Sequence, residues 1–153
     1  MSSTSRDIAK TLEPSSKANV ALRPRRILVA EDNPAIRDFY TDVLRQYGYE
    51  VEAAENGALA WQALRNNHFD LLVTDNDMPE MTGMELIRKI RSENRMLPTI
   101  LASGSLSHEI LGGDDALRFA HFLPKPFGLK ELVRLVERLL QGVSLLEVQK
   151  YPA

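Results

Sequence analysis

The sequence predicts a single α/β domain, built on a parallel sheet of five strands with five helices on its two faces. Five short apolar runs that end at turn residues alternate with longer segments in which apolar residues recur at helical spacing. Five β/α repeats of this size imply right-handed crossovers between parallel strands. The chain has 153 residues, of which 44% are hydrophobic and 26% charged, so one domain of this length can bury a core.

Five segments have the composition of strands that are buried on both faces of a sheet. These strands are predicted at residues 26–30, 50–54, 70–74, 99–102 and 121–123. Turn residues follow each apolar run, which separates it from the helical segment that comes next.

The first helix is predicted from an apolar stripe that begins after Pro34 and stops at Gly48. Proline suits the first turn of a helix, and glycine favours its end. The stripe consists of Ile36, Phe39, Val43, Leu44 and Tyr47. We expect these side chains to face the core rather than a cofactor.

Three further segments, 59–66, 84–92 and 129–140, show the same helical period. On one side the last of them carries Leu132, Val133, Val136, Leu139 and Leu140, which we again expect in the core. Segment 107–118 differs because Gly112 and Gly113 interrupt it, and each Gly costs about 1 kcal/mol relative to Ala in a helix. The fourth of the five helices is therefore predicted to be short or broken.

The N-terminal segment differs in charge from the rest of the chain. Residues 1–26 contain six Lys and Arg against two Asp and Glu, whereas residues 27–153 contain 13 against 19. An acidic domain repels phosphate backbones, so we expect no direct nucleic-acid binding, which would have to rest on Arg23, Arg25 and Arg26. We expect a disordered tail at 1–24, the domain at 25–141, and a short tail or an extension of the last helix at 142–153.

Two absences limit the location and the chemistry. The chain contains no Cys, which excludes disulfides and thiolate metal sites and fits a cytoplasmic protein. It has neither the apolar run of a signal peptide nor 18 uninterrupted apolar residues. We therefore expect neither export nor membrane insertion.

Charged and hydroxyl side chains follow four of the predicted strands. Glu31 and Asp32 come after the first strand, Asp75 after the third, Ser103 after the fourth, and Lys125 shortly after the fifth. Singly, each has an ordinary explanation as a helix cap, a turn residue or a solvated charge. Because parallel sheets bind ligands beyond the carboxyl ends of their strands, the set as a whole predicts a site at that edge.

Three carboxylates in one cleft repel one another unless a cation lies among them. Mg²⁺ suits oxygen ligands and is commonly bound by one or two carboxylates together with a phosphate oxygen, whereas the scattered His68, His108 and His121 do not fit zinc. A carboxylate beside a bound Mg²⁺ is a usable nucleophile toward a phosphoryl group. We expect Asp75 to be that nucleophile, with Lys125 and Ser103 neutralising charge on the phosphoryl oxygens.

These residues, in this order, resemble the receiver domain of two-component response regulators over about residues 25–141. The matching motifs are Glu31-Asp32, the stretch from Leu71 to Pro79 that contains Asp75, then Gly83, Ser103 and Lys125-Pro126-Phe127. The resemblance implies a flavodoxin-like, doubly wound sheet with strand order 2-1-3-4-5. It also implies a receiver similar to that of chemotaxis, with a cis peptide bond between Lys125 and Pro126. Because only residues 142–153 follow the last predicted helix, too few to bury a second core, we expect a stand-alone receiver.

The resemblance further implies a set of residue roles. Asp75 would accept a phosphoryl group from a phosphohistidine on a histidine kinase or a histidine phosphotransfer protein, in a signalling domain rather than a turnover enzyme. Mg²⁺ would be bound by Asp32, by Asp75, by the backbone carbonyl of Asp77 and, through water, by Glu31. Ser103 and Lys125 would contact the phosphoryl oxygens. Ser103 and Phe122 would form a switch, in which the aromatic ring turns inward when the hydroxyl moves.

Two alternatives stand beside this hypothesis. Asp75-Asn76-Asp77 also resembles the nucleophile motif of haloacid-dehalogenase-type phosphatases, with Gly113-Asp114-Asp115 as the acidic pair, although Lys125 then follows that pair and Glu31-Asp32 has no role. A degenerate receiver that acts as a scaffold is the second alternative. The sequence leaves open the cognate kinase, the downstream protein target, the lifetime of the phosphoryl group and the oligomeric state, including a homodimer.

Overall fold

The computed structural model describes residues 23–105 and 115–149, and beyond residue 141 it describes the backbone alone. Strands and helices alternate along the chain as predicted. Their bounds are β1 Arg26–Ala30, α1 Pro34–Gln46, β2 Glu50–Ala54, α2 Gly57–Asn66, β3 Leu71–Asp75, α3 Gly83–Ser92, β4 Thr99–Ser103, a 3-10 helix Asp115–Phe119, β5 Ala120–Pro124 and α4 Leu129–Gln149.

The five strands form one parallel sheet in the order β2-β1-β3-β4-β5, which confirms the predicted topology. Ala30 of β1 pairs with Thr74 of β3, and Asp75 at the end of β3 pairs with Ala102 of β4. At the end of β4, Ser103 pairs with Pro124 of β5. This register brings the carboxyl ends of β1, β3, β4 and β5 to the same edge of the sheet.

Alternate residues of β1 pack on opposite faces of the sheet. Ile27 and Val29 join a core cluster that includes α1 and α4, whereas Leu28 and Ala30 join a cluster that includes α2 and α3. All four side chains are at most 1% exposed. Because helices cover both faces, every position from Ile27 to Ala30 needs an apolar residue, which explains the continuous run in the sequence.

Helix α1 starts where predicted, but its apolar stripe does not bury all the residues expected in the core. The Asn33 side chain accepts hydrogen bonds from the first turn, and Gly48, with φ of 93°, follows the helix end. The prediction was wrong for Phe39 and Tyr47, which are 52% and 56% exposed. Tyr47 lies beyond the last helical residue, and Phe39 is five positions from the buried Leu44 and so points to another side of the helix.

The last two helical regions differ from their predicted ranges. Residues 107–114 of the interrupted segment 107–118 lie outside the described residues. The rest of the segment belongs to the 3-10 helix, in which Leu117 is buried. Helix α4 continues to Gln149, nine residues beyond the predicted end at Leu140. The predicted tail at 1–24 lies almost entirely outside the described residues, and the domain limits remain predictions. Within residues 23–105 and 115–149, none of the helices has the length and hydropathy required to span a bilayer.

Gly83, the first residue of α3, allows the helix to approach the end of β3. A Cβ at this position would lie 2.4 Å from the carbonyl oxygen of Asp75 and 2.7 Å from the Cδ1 of Leu101. The backbone amide of Gly83 also donates to the carbonyl oxygen of Asn76 at 3.1 Å. The close contact is therefore with backbone and with a buried side chain, neither of which can move without disturbing the sheet edge.

Gly83→Ala is expected to lower the free energy of unfolding by about 3 kcal/mol, because the added methyl group overpacks this contact. Urea denaturation of the purified variant measures the change. Gly128→Ala is the control, since a Cβ at Gly128 would meet no atom within 4 Å. Equal losses in the two variants would contradict the steric explanation.

Candidate functional site

Three carboxylates meet at the carboxyl edge of the sheet. Glu31 and Asp32 follow β1, and Asp75 is the last residue of β3. One side-chain oxygen from each lies within 4.8 Å of the other two. Glu31 and Asp75 are 2% and 6% exposed, whereas Asp32 is exposed. Two buried acids thus share the site with one acid that faces solvent.

Lys125 provides the positive charge of the site. Its Nζ donates a hydrogen bond to the Oδ1 of Asp75 at 2.8 Å, and its backbone amide donates to the carbonyl oxygen of Ser103 at 2.9 Å. The peptide bond to Pro126 is cis. Burial alone would lower the pKa of the ammonium, but the hydrogen bond and charge of Asp75, together with Glu31, raise it above the usual value.

Glu31 shows how much negative charge the site contains. The pKa of Glu31 is raised from its usual value to about 7, first by burial and then by the charge of Asp75. The backbone amide of Asn33, which donates to Glu31 Oε1 at 3.2 Å, opposes the rise. Lys125 also opposes the rise, and Asp32 adds to it. The carboxylates therefore exceed the single ammonium that faces them. A hard divalent cation with oxygen ligands, such as Mg²⁺, fits this donor set.

Ser103 is buried next to the site, with 1% of its surface exposed. Its hydroxyl oxygen accepts a hydrogen bond from the backbone amide of Ser105 at 3.2 Å, and the hydroxyl lies 3.4 Å from the carbonyl oxygen of Ser105, to which it donates. The hydroxyl is therefore bonded to its own loop. Its backbone carbonyl still connects it to Lys125.

The remaining predicted residues lie farther from the acidic cluster or make other contacts. Phe122 is partly buried and packs against an apolar cluster that contains Met84 and Leu101. Asp77 is exposed in the loop between β3 and α3. Of the alternative acidic pair, Asp115 starts the 3-10 helix, while 113–114 lies outside the described residues.

Sequence reasoning missed three residues that support the site. Arg37 donates from Nη1 to the carbonyl oxygens of Glu31 at 2.9 Å and Asp32 at 3.4 Å. The Oδ1 of Asn76 accepts from the backbone amide of Met84 at 3.1 Å, which ties the loop after Asp75 to α3. Tyr40 was also missed, although its spacing of four residues from Leu44 places both on the same helical face.

Tyr40 lies close enough to the acidic cluster to be influenced by its charges. Burial raises the pKa of its phenol; Lys125 opposes the rise, and Glu31 and Asp75 add to it. Its ring stacks on that of Phe127, with 5.9 Å between the ring centroids and 25° between the planes. The aromatic pair therefore connects α1 to the segment that carries Lys125.

Comparison with known proteins assigns the family. Residues 27–137 match the model of the response regulator receiver domain. The response regulator receiver protein CpdR of Brucella abortus is 39% identical over 116 residues, which are 76% of this chain and 97% of CpdR. The response regulator MprA of Mycobacterium sp. (strain KMS) is 37% identical over 132 residues, or 85% of this chain but only 56% of MprA.

Solved receiver structures share the fold. The receiver domain of the Francisella response regulator 1452 matches with a TM-score of 0.70 and 28% identity, covering 78% of this chain and 98% of that domain. The response regulator TrrA of Thermotoga maritima, solved in complex with Mg²⁺ and BeF, matches with a TM-score of 0.65 and 33% identity, covering 75% and 98%. The sequence match and the shared fold agree, and the chain belongs to the response regulator receiver domain family of two-component signalling.

Proposed function

We propose that this chain accepts a phosphoryl group on Asp75, in a Mg²⁺-dependent reaction, from a phosphohistidine on a histidine kinase or a histidine phosphotransfer protein. One observation carries the proposal. The Asp75 carboxylate lies at a strand end, 2.8 Å from the Lys125 ammonium, and within 4.8 Å of the Glu31 and Asp32 oxygens. A nearly buried carboxylate with one ammonium and two further acids beside it is suited to phosphoryl transfer.

The transfer is a substitution at phosphorus. A carboxylate oxygen of Asp75 forms the new bond to phosphorus while the bond between phosphorus and the imidazole nitrogen of the donor breaks, and the electron pair of that bond stays on the nitrogen. The imidazole then takes a proton from solvent. Lys125, already on Oδ1 of Asp75, is placed to neutralise charge on the phosphoryl oxygens as they arrive.

The donor set of the site fits Mg²⁺, and we assign its ligands from this chain. Asp32 and Asp75 would bind the ion directly, the backbone carbonyl of Asp77 would be a third ligand, and Glu31 would act through water. Bound there, Mg²⁺ would neutralise the excess carboxylate charge and the charge of the phosphoryl oxygens.

Signalling would follow from a change in protein contacts. Ser103 would exchange its bonds to Ser105 for one to a phosphoryl oxygen, and Phe122 would then turn toward the space that the hydroxyl leaves. Phosphorylation would shift the balance between two arrangements of this surface, which a downstream protein or a second copy of the chain would read. We propose that the reaction takes place in the cytoplasm, which fits a chain without Cys.

Acetyl phosphate provides a direct test of the proposed function. Incubation with acetyl phosphate and Mg²⁺ should add one phosphoryl group, and borohydride reduction followed by peptide mass spectrometry should locate it at Asp75. The same incubation with EDTA should give no addition, since the site then lacks its cation. Turnover of many small phosphate esters would support a phosphatase instead, and a chain that takes up no phosphoryl group would support a scaffold.

A further inference from the structure

The contact between Tyr40 and Phe127 joins two elements that otherwise border an open groove. The groove has a volume of about 530 Å³ and lies between α1 and the segment that follows β5. Its lining includes Tyr40, Phe127 and Lys125. Both aromatic rings are partly buried and pack against the core cluster that contains Leu44 of α1 and Leu132 of α4. The stacked pair thus forms the inner wall of the groove, next to the acidic site.

Lys125 is held from two directions. On one side its backbone amide is bonded to the carbonyl oxygen of Ser103, which fixes it to β4. On the other side the chain reaches Phe127 two residues later, where the stack on Tyr40 fixes it to α1. These two attachments together set the position from which the ammonium reaches Asp75 at 2.8 Å. Loss of either attachment would let the segment 125–127 move away from the carboxylate.

We propose that Tyr40 is a positioning residue, whose ring, stacked on Phe127, fixes the segment 125–127 against α1 and so holds the Lys125 ammonium on Asp75. The inference rests on the proposed function insofar as it concerns phosphoryl transfer. Its geometric part, the placement of the ammonium, stands independently of it. The ring is the acting group, since the stack is made by the ring.

The surroundings of the phenol agree with this role. Burial raises its pKa, and the carboxylates of Glu31 and Asp75 raise it further against the effect of Lys125. The phenol therefore remains neutral. An ionised phenol would be a further anion that competes with Asp75 for the Lys125 ammonium. Phe39, the residue before it, lines the same groove but is 52% exposed, so the two adjacent aromatic residues differ in burial.

Tyr40→Leu removes the stack and keeps an apolar side chain, whereas Tyr40→Phe keeps the stack and removes only the hydroxyl. At saturating acetyl phosphate and Mg²⁺, we expect Tyr40→Leu to lower the rate of phosphoryl uptake about tenfold and Tyr40→Phe to keep the wild-type rate. The Mg²⁺ dissociation constant, measured by calorimetry, should not increase in either variant, because no ligand of the ion is removed. Tyr47→Leu, at an exposed tyrosine just beyond the end of α1, is the matched control and should also keep the wild-type rate.

A double substitution tests the pair itself. Phe127→Leu should slow uptake as much as Tyr40→Leu, and the combined variant should be no slower than either one, because each removes the same stack. Any of three results would overturn the proposal. Tyr40→Leu could take up the phosphoryl group at the wild-type rate, Tyr40→Phe could be as slow as Tyr40→Leu, or the slow variants could bind Mg²⁺ more weakly than the wild type.

A second measurement does not depend on phosphoryl transfer. An amine-directed acylating reagent should modify Lys125 several-fold faster in Tyr40→Leu than in the wild type, because the partly buried side chain becomes more accessible to the reagent once it leaves Asp75. Mass spectrometry compares this rate with that of the exposed Lys130 in the same sample. An unchanged reactivity of Lys125 overturns the inference even if Asp75 takes up no phosphoryl group, whereas faster reactivity supports it in either case.

Discussion

Asp75→Asn is expected to reduce phosphoryl uptake from acetyl phosphate by at least roughly a thousandfold, because the amide lacks the anionic oxygen that forms the bond to phosphorus. The substitution is nearly isosteric. The amide oxygen can still accept the 2.8 Å hydrogen bond from Lys125 Nζ. A loss of uptake would therefore report the missing nucleophile rather than a collapsed site. Intact-protein mass spectrometry at fixed times of incubation measures the loss.

The control for this substitution is Asp42→Asn, which removes the same charge from an exposed position on α1 and should take up the phosphoryl group as the wild type does. Circular dichroism should show the same fold in all three proteins. Acid-labile phosphoryl label that persists at the wild-type level in Asp75→Asn would contradict the assignment. The acceptor would then have to be sought at Glu31 or Asp32, the other two carboxylates of the cluster.

The inner strands of the sheet were predictable because their composition indicates burial on both faces, whereas the prediction of such burial was wrong for the edge strand β2, which buries only Val51 and Ala54. A strand such as β1, with Ile27, Leu28 and Val29 in succession, must be covered on both faces, and crossover segments of helical period provide the cover. Parallel pairing then places every carboxyl end at one edge. The residues that follow the strands are brought together by topology, so local sequence was enough to find them.

The sequence did not predict the last residue of two strands correctly. β3 was predicted to end before Asp75, and β4 before Ser103, but both residues are the last members of their strands. A polar residue at the end of an apolar run looks like the first residue of a loop. Its membership of the ladder depends on a partner strand, since Asp75 pairs with Ala102, and this partner is distant in sequence.

Side-chain contacts across the fold could not be read from the sequence at all. The period of α1 identified its apolar face only approximately, so Phe39 was expected inside and Tyr40 was overlooked. Which ring meets Phe127 depends on how α1 packs against the segment after β5. The hydroxyl of Ser103 is a similar case, because its bonds to Ser105 depend on the path of the following loop.

Lys125→Gln is expected to slow phosphoryl uptake roughly a hundredfold at saturating Mg²⁺, since it removes one preorganised charge from the place where phosphoryl charge develops. In EDTA, the free energy of unfolding of the variant should also be lower by about 2 kcal/mol. The reason is that the Asp75 carboxylate, which is 6% exposed, loses its charged hydrogen-bond donor. Mg²⁺ should restore part of this stability, as a divalent cation among the carboxylates replaces the lost positive charge. Uptake kinetics and urea denaturation with and without Mg²⁺ measure these effects.

The two effects of Lys125→Gln separate its structural contribution from its part in the reaction. If the ammonium served only to balance Glu31 and Asp75, saturating Mg²⁺ would restore the rate together with the stability. We expect part of the stability to recover and the rate to stay low, because a cation held by the carboxylate cluster would not take the place of the ammonium that lies 2.8 Å from Oδ1 of Asp75. Lys130→Gln, at an exposed position of α4, should change neither quantity. A rate that recovers fully with Mg²⁺ would assign Lys125 to charge balance alone.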